Sequence, residues 1–390
     1  MNTTPQGERV HIAVFGRRNA GKSSLVNALT GQAVSIVSEI KGTTTDPVRK
    51  AMELPPLGPV LFIDTPGLDD EGSLGEQRVR RAYDVLAQTD LALLVVDATV
   101  GFGACEADLL AALDEREIPT VVVANKMDAR AARGACRVPR RAVWVSCATG
   151  EGVEPLLRSL ADATPGAQSP AARPLVRDRL AAGDVVVLVT PIDGAAPKGR
   201  LILPQQQVIR DILDAHATAL VTQPSELALT LARLTAPPRM VITDSQAFAA
   251  AAAATPPGVE LTSFSILFAR YKGDLAVLEA GADALAGLQD GDRVLVAEGC
   301  THHRQADDIG TVKIPGALRR ATGKALAFEH VRGGDYPADV SGYALIVHCG
   351  ACMMNRRGML HRIRLAQAAG VPITNYGVLL ERMRESQSRS

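Results

Sequence analysis

The sequence predicts an α/β protein with parallel sheets, divided into more than one domain. Strand-length apolar runs alternate with helix-length segments along most of the chain, the pattern of sheets covered by helices. A glycine-rich turn joins the first run to the first helical stretch, and 390 residues are too many for one compact core.

The first strand is expected at residues 11–15, with a helix beginning near Lys22, and further strands at 60–63, 91–96, 120–124 and 142–145. Residues 164–174, rich in Pro, Gly, Ser and Ala, read as a linker that closes a first domain of residues 1–164. The second region, 175–270, offers a strand at 185–190, a helical pattern over 205–219, a strand at 240–243 and an Ala-rich helix at 248–254 stopped by Pro256 and Pro257. It carries no catalytic constellation and reads as a packing or oligomerisation module. The third region, 271–390, alternates again, with strands at 293–297, 325–329, 343–347 and 372–374, a helix at 356–369 and a last helix to about 385. The basic run from Arg356 to Arg364 reads as a solvated helix face.

Composition excludes several classes. A formal net charge of +0 and 3% aromatic residues argue against a broad nucleic-acid surface. No apolar run reaches the roughly 18 to 20 residues of a membrane span, and residues 1–8 lack an apolar signal core, so a cytoplasmic protein without membrane partners is expected. In that compartment the six cysteines read as thiols or metal ligands rather than disulfides.

Gly16-Arg17-Arg18-Asn19-Ala20-Gly21-Lys22-Ser23 fits G-x-x-x-x-G-K-S between a strand and a helix. Backbone N–H groups of such a loop wrap a phosphate, so Gly16, Asn19, Ala20, Gly21, Lys22, Ser23 and Ser24 are assigned to phosphate binding. Lys22 is expected to reach the β/γ oxygens. Ser23 and Asp64 are expected to hold Mg²⁺, joined by Thr44 of the switch segment 42–46. Thr43 lies beside it, and Gly67 ends the segment Asp64-Thr65-Pro66-Gly67. Asn125-Lys126-Met127-Asp128 follows another strand, and Asp128 can accept the two donors of a guanine edge that adenine lacks. GTP and GDP are therefore the expected nucleotides, with Ser146, Cys147 and Ala148 on the last base-contacting loop. Leu68 cannot orient an attacking water, so slow intrinsic turnover is expected. Lys22, Asn19 and Thr44 are the expected catalytic set.

These motifs resemble the TrmE/Era/EngA group of GTPases. The resemblance implies that Asn19 helps hold a K⁺ ion near the β/γ bridge, where it stabilises transition-state charge.

A second chemistry sits near the other end. Cys300-Thr301-His302 and His348-Cys349-Gly350-Ala351-Cys352 each follow a predicted strand, where open parallel sheets form their sites. Three thiolates with imidazoles suit Zn²⁺ in a closed Cys₃His site, or a 4Fe-4S cluster whose fourth iron takes a weaker or exchangeable ligand. The spacing leaves both open. Cys105, Cys136 and Cys147 have no partner at ligand spacing and read as incidental thiols.

A TrmE/Era-like GTPase joined to Cys-x-His and His-Cys-x-x-Cys resembles the HydF family of FeFe-hydrogenase maturation GTPases, over essentially the whole chain. That resemblance implies a GTP-binding domain at 1–164, a dimerisation domain at 175–270 and an iron-sulfur cluster-binding domain at 271–390. It implies that Cys300, Cys349 and Cys352 hold a 4Fe-4S cluster, with His302 a candidate fourth ligand and His348 on the family's second His position. It further implies a homodimeric scaffold that receives a transient two-iron precursor from radical-SAM maturases and delivers it to the FeFe-hydrogenase apoprotein. The rival reading is an RNA- or ribosome-associated GTPase with a zinc-stabilised C-terminal module.

Overall fold

Strand β1, Val10–Phe15, is buried along its whole length and lies at the centre of the first sheet of this computed structural model. The structure describes residues 4–32, 36–40, 48–69, 82–129, 138–139, 141–164, 173–192, 201–244, 247–299, 309–333 and 335–388. They fall into two compact units, Met1–Arg173 and Pro174–Ser390.

In the first unit β2 (Ile36–Ile40), β3 (Val48–Leu54), β4 (Gly58–Asp64), β5 (Leu91–Asp97), β6 (Thr120–Asn125) and β7 (Val143–Val145) join β1 in the order β2-β3-β4-β1-β5-β6-β7. The strands from β4 to β7 run parallel to β1, whereas β3 is antiparallel to β4 and β2 antiparallel to β3, two additions that the sequence did not suggest. Residues 55–57 join β3 to β4, too short a connection for a crossover, so those two strands must run antiparallel. Side chains alternate across the sheet. Ile12, Val14, Val60 and Phe62 meet Leu25 and Leu29 of α1 (Lys22–Gln32) on one face, with Leu156 and Leu160 of α3 (Val153–Ala163) in the same core. Ala13, Phe15, Leu61 and Ile63 face Leu109 and Leu113 of α2 (Ala104–Glu115) on the other. Covering both faces is what makes these strands read as continuous apolar runs.

The second unit holds two four-stranded sheets. The first, in the order β11-β10-β8-β9, is wholly parallel and comprises β8 (Val185–Val189), β9 (Thr218–Thr222), β10 (Met240–Thr243) and β11 (Glu260–Ser263). The helix expected over 205–219 ends earlier. Helix α4 spans Leu203–Asp214, the chain turns at His216 with φ 56°, and the β-branched residues Thr218, Val221 and Thr222 carry β9 alongside β8. Asp211 fixes the entry of the chain into this sheet, because its Oδ2 accepts the N–H groups of Leu175, Val176 and Arg177 at 2.9, 2.7 and 2.8 Å. Helix α5, Phe248–Ala254, follows β10 as expected.

The last sheet has the order β13-β12-β14-β15, with β12 (Arg293–Glu298), β13 (Ala327–Arg332), β14 (Leu345–His348) and β15 (Ile373–Asn375) all parallel. Helices α6 (Phe264–Lys272), α7 (Leu275–Asp283), α8 (Ile314–Thr322), α9 (Arg356–Ala368) and α10 (Tyr376–Ser388), with a short helical turn over Leu227–Ala232, complete the helices of the unit. Leu278, Ala282, Met359 and Ile363 pack against Leu295, Ile346 and Ile373, while Leu318 and Leu379 pack against Val294, Val296 and Val347. The basic run on α9 is not a uniformly solvated face. Arg362, one residue before core Ile363, is 6% exposed, and Arg356 donates to the carbonyls of Tyr271 and Gly273 at 3.2 and 2.6 Å. Internal acceptors make this burial tolerable. Among the described residues no helix is long and apolar enough to cross a membrane.

Helix α7 approaches β15 so closely that a Cβ placed on Gly281 would lie 1.9 Å from the Ile373 carbonyl oxygen. Replacing Gly281 with Ala is therefore expected to destabilise the protein by about 1–3 kcal/mol through overpacking. Gly287→Ala, where nothing lies within 4 Å, serves as the control. Equal midpoints for the two variants in urea denaturation would contradict this packing.

Candidate functional site

The phosphate loop lies between β1 and α1, and two of its glycines are fixed by close approach. Gly16 has φ +149° and a Cβ there would meet the Val95 carbonyl oxygen at 2.3 Å; Gly21 has φ +93° and its Cβ would meet Asn125 Nδ2 at 2.2 Å. Asn19, at φ 61°, is an exposed left-handed turn residue, a conformation that Asn tolerates. Lys22 Nζ donates to the carbonyls of Gly16 and Arg17, both at 2.9 Å, so the ammonium lies over the mouth of the loop where phosphate oxygens would replace those carbonyls. Ser24 is exposed in the first turn of α1.

Ser23 Oγ donates to Asp64 Oδ2 at 2.6 Å, while Asp64 Oδ1 is buried with no hydrogen-bond partner among the described residues. A hydroxyl beside a carboxylate with one oxygen to spare fits a hard divalent cation. Thr43 and Thr44 lie outside the described residues. Beyond Asp64, the Leu68 N–H donates to the Gly16 carbonyl at 3.3 Å and Asp69 accepts the Arg18 N–H at 2.6 Å, tying the segment through buried Gly67 to the phosphate loop. Leu68 is 7% exposed and packs into the apolar core with Phe15 and Ile63, so it cannot orient a water.

Asn125 holds the phosphate and base loops together. Its Nδ2 donates to the Ala20 carbonyl at 3.0 Å and its Oδ1 accepts the Cys147 N–H at 3.2 Å. Lys126 pairs with Asp97 at 2.6 Å. Burial works against ionised Asp97, but hydrogen bonds from Lys126 and Thr99 outweigh it and hold the carboxyl below its ordinary range. Ser146 is fully buried; its N–H donates to the Glu151 carbonyl and its Oγ accepts the Thr149 N–H. Asp128 and Ala148 are exposed. Burial pushes the Cys147 thiol up to about 11, with the Asp128 charge adding to it against a hydrogen bond to Asn125.

Two supporting groups were missed. Asp97 has a local signal, a carboxylate at the carboxyl end of an apolar strand. Glu106, 1% exposed, accepts from Arg17 at 2.8 Å and from the Gly103 N–H at 3.0 Å, and this pairing across distant segments has no signature in the sequence.

The cysteine motifs follow β12 and β14, which are adjacent, with Ala297 opposite His348. Because β12 has β13 on one side and β14 on the other, this is where strand order reverses, the usual location of a site in an open sheet. The Cys349 N–H donates to the Ala297 carbonyl at 2.8 Å, and Cys349 Sγ accepts the N–H groups of Gly299 and Ala351 at 3.1 and 3.4 Å. Ala351, at φ 54°, makes the left-handed turn that aims its N–H at the sulfur. Cys349 and Cys352 are partly exposed. Cys300, next in the chain after Gly299, lies outside the described residues, as do His302, His303 and Cys136. Among the described residues no three His, Cys, Asp or Glu side chains are grouped to hold a metal. A cysteine sulfur taking two backbone N–H bonds at a sheet switch point is nonetheless a donor suited to a soft metal centre.

His348 is fully buried with both ring nitrogens engaged: Nδ1 lies 2.8 Å from the Cys349 carbonyl oxygen and Nε2 lies 2.8 Å from an Arg362 nitrogen. Burial, then the Arg362 charge, pushes its pKa down to about 3, so the imidazole is neutral. Arg362 also donates to the Gly333 carbonyl and stacks 4.6 Å from the centre of the Tyr336 ring.

The fold and first site define a P-loop GTPase of the TrmE/Era-like group. Residues 11–126 match the family described as 50S ribosome-binding GTPase. Residues 175–273 match the Hydrogen maturase F dimerization domain and residues 276–390 the Hydrogen maturase F tetramerization domain. The chain thus belongs to the hydrogen maturase F family, and its two C-terminal segments are of the self-associating kind. The tRNA modification GTPase MnmE of Thiobacillus denitrificans is 40% identical over 153 residues, 39% of this chain and 33% of that protein. Its counterpart from Nitratidesulfovibrio vulgaris is 37% identical over 199 residues, 50% of this chain and 43% of that protein. The chain thus spans between a third and a little under half of the length of these relatives. Among solved structures, the G domain of the T. maritima FeoB iron transporter is 26% identical, covers 40% of this chain and 98% of its own, with a TM-score of 0.31. Aquifex aeolicus Era bound to GDP and aluminium fluoride is 20% identical, covers 55% and 92%, with a TM-score of 0.32.

Gly21→Ala is expected to weaken GTP binding by about tenfold or more, since it displaces the Asn125 amide and forfeits a hydrogen bond worth about 1 kcal/mol along with the loop's shape. Titration with a fluorescent GTP analogue checks this, and wild-type affinity would contradict the assignment. Cys147 is expected to alkylate at pH 8 about a hundredfold more slowly than an ordinary thiol, because its thiolate fraction falls with each unit of raised pKa. Iodoacetamide labelling followed by peptide mass spectrometry measures it; labelling at the rate of a free cysteine would show that the thiol is not shielded.

Proposed function

We propose that this protein is a GTP-hydrolysing scaffold for assembly of the FeFe-hydrogenase cofactor, with nucleotide chemistry at residues 1–164, association through 175–270 and an iron-sulfur site at 271–390. The observation that carries the reading is the sulfur of Cys349, which accepts the N–H of Gly299, the residue preceding Cys300, at 3.1 Å. In a chain of the hydrogen maturase F family, this supports one site built from both cysteine motifs.

In the GTPase cycle, the N–H groups of the phosphate loop cradle the β-phosphate, and Lys22 moves from the Gly16 and Arg17 carbonyls to the β/γ oxygens. Ser23 and Asp64 would hold Mg²⁺, with Thr44 the candidate further ligand in the GTP state. Asp128 reads the guanine edge. With Leu68 in the core, charge stabilisation falls to Lys22; a K⁺ ion, which Asn19 would help to hold, would add positive charge there, so K⁺ in place of Na⁺ is expected to accelerate hydrolysis.

At the second site Cys300, Cys349 and Cys352 would hold a 4Fe-4S cluster, with His302 the candidate for the remaining position. When bound, that cluster supplies an iron whose fourth ligand can be exchanged. The cargo is a two-iron precursor received from radical-SAM maturases and passed to the hydrogenase apoprotein, with the scaffold acting as a homodimer. The similarity of the GTPase domain to MnmE favours a second reading, an RNA-associated GTPase whose cysteines bind zinc.

Anaerobic purification distinguishes them, because a 4Fe-4S protein is brown and carries iron and sulfide whereas a zinc protein is colourless. Cys300→Ala, Cys349→Ala and Cys352→Ala should each deplete iron and abolish hydrogenase activation while leaving basal GTP hydrolysis near wild type, since none belongs to the nucleotide site. Single variants that keep full iron and still activate the enzyme would refute the scaffold reading, as would zinc alone in the wild type.

A further inference from the structure

His348 precedes a ligand cysteine and belongs to the residue type most often recruited to metals, so the sequence leaves it a candidate ligand. Its surroundings argue otherwise. Both ring nitrogens face partners inside the protein, the Cys349 carbonyl and Arg362, each at 2.8 Å. A guanidinium can only donate, so the nitrogen beside Arg362 is the acceptor and the proton sits on Nδ1, directed at the Cys349 carbonyl.

We propose that Arg362 is the positioning residue of the cysteine site: by donating to His348 Nε2 it fixes the imidazole against the Cys349 carbonyl, so that His348 shapes the Cys349–Cys352 loop instead of ligating metal. Arg362 is itself held on two other sides, by the Gly333 carbonyl and the face of the Tyr336 ring. A second observation concerns charge. Arg362 is 6% exposed, and among the described residues the groups whose charge acts on it are Cys349, first, and Tyr336, with no carboxylate. A buried cation without a counter-charge is costly. An anionic sulfur centre at Cys349 provides that counter-charge, and the fixed cation in turn favours the more reduced, more negative state of whatever cluster the cysteines hold.

The inference rests on the cluster reading above, and its test separates the two. The full chain is reconstituted anaerobically as wild type, Arg362→Met, Arg362→Lys and His348→Asn. Iron content, reduction potential by EPR-monitored titration and nitrogen hyperfine couplings with ¹⁵N-labelled histidine are then measured. Arg362→Met should shift the potential to more negative values and Arg362→Lys should bring it back toward wild type. His348→Asn should keep its iron, because Asn can still donate to the Cys349 carbonyl, and any imidazole nitrogen coupling seen in wild type should persist. An unchanged potential in cluster-loaded Arg362→Met, or a nitrogen coupling lost in His348→Asn, overturns the proposal while leaving the cluster reading intact. Where Arg362→Met does not fold, Arg362→Lys and His348→Asn decide the question by the same readouts. A wild type that takes up only zinc removes the cluster reading and this inference together.

Discussion

Burial of parallel strands on both faces is the constraint on which the rest of this structure depends. A strand such as β1, with every residue buried, satisfies its polar backbone chiefly through the ladder, aided by Asp90 at His11 and Thr65 at Val14, and needs helices above and below it. Polar chemistry is thereby driven to the carboxyl ends of strands, where the ladder stops and N–H groups become available. The phosphate loop follows β1 there, and Asp64 and Asn125 end β4 and β6. In the other unit Gly299 follows β12 and Cys349 follows β14. The same constraint thus sets the location of the phosphate loop in one unit and of the Cys349 loop in the other.

What the sequence revealed divides along physical lines. Buried parallel strands were legible because burial on both faces demands a continuous apolar run of strand length, and the phosphate loop because its place between strand and helix demands fixed residue types at fixed spacing. Strands β2, β3, β9 and β11 were not. Thr218–Thr222 is half-exposed throughout and continues the apolar rhythm of the helix before it, and Val48–Leu54 mixes exposed and buried positions without clean alternation. Neither carries a two-residue period strong enough to override its neighbours.

Long-range polar partners were the other loss. A charged residue in sequence reads as solvated, since most are. Arg362 on α9 and Glu106 on α2 are exceptions because each finds donors or acceptors across the fold. Nothing near Glu106 announces Arg17, and nothing near Arg362 announces His348. Asp97 was recoverable in principle, because an acid at the carboxyl end of an apolar strand in this type of sheet stands where sites form.

The two sites also solve opposite electrostatic problems with the same backbone. Around the phosphate loop, N–H groups and Lys22 await negative charge carried by a ligand, and a cation must accompany it, which is why Asp64 keeps one oxygen without a hydrogen-bond partner among the described residues. At the cysteine site the structure shows donors that are already fixed, two N–H groups on Cys349 Sγ and a guanidinium buried behind His348. A site for an exchangeable nucleotide gains from leaving its counter-charges mobile, because they must depart with the ligand. Donors fixed in this way cost no reorganisation when negative charge develops beside them.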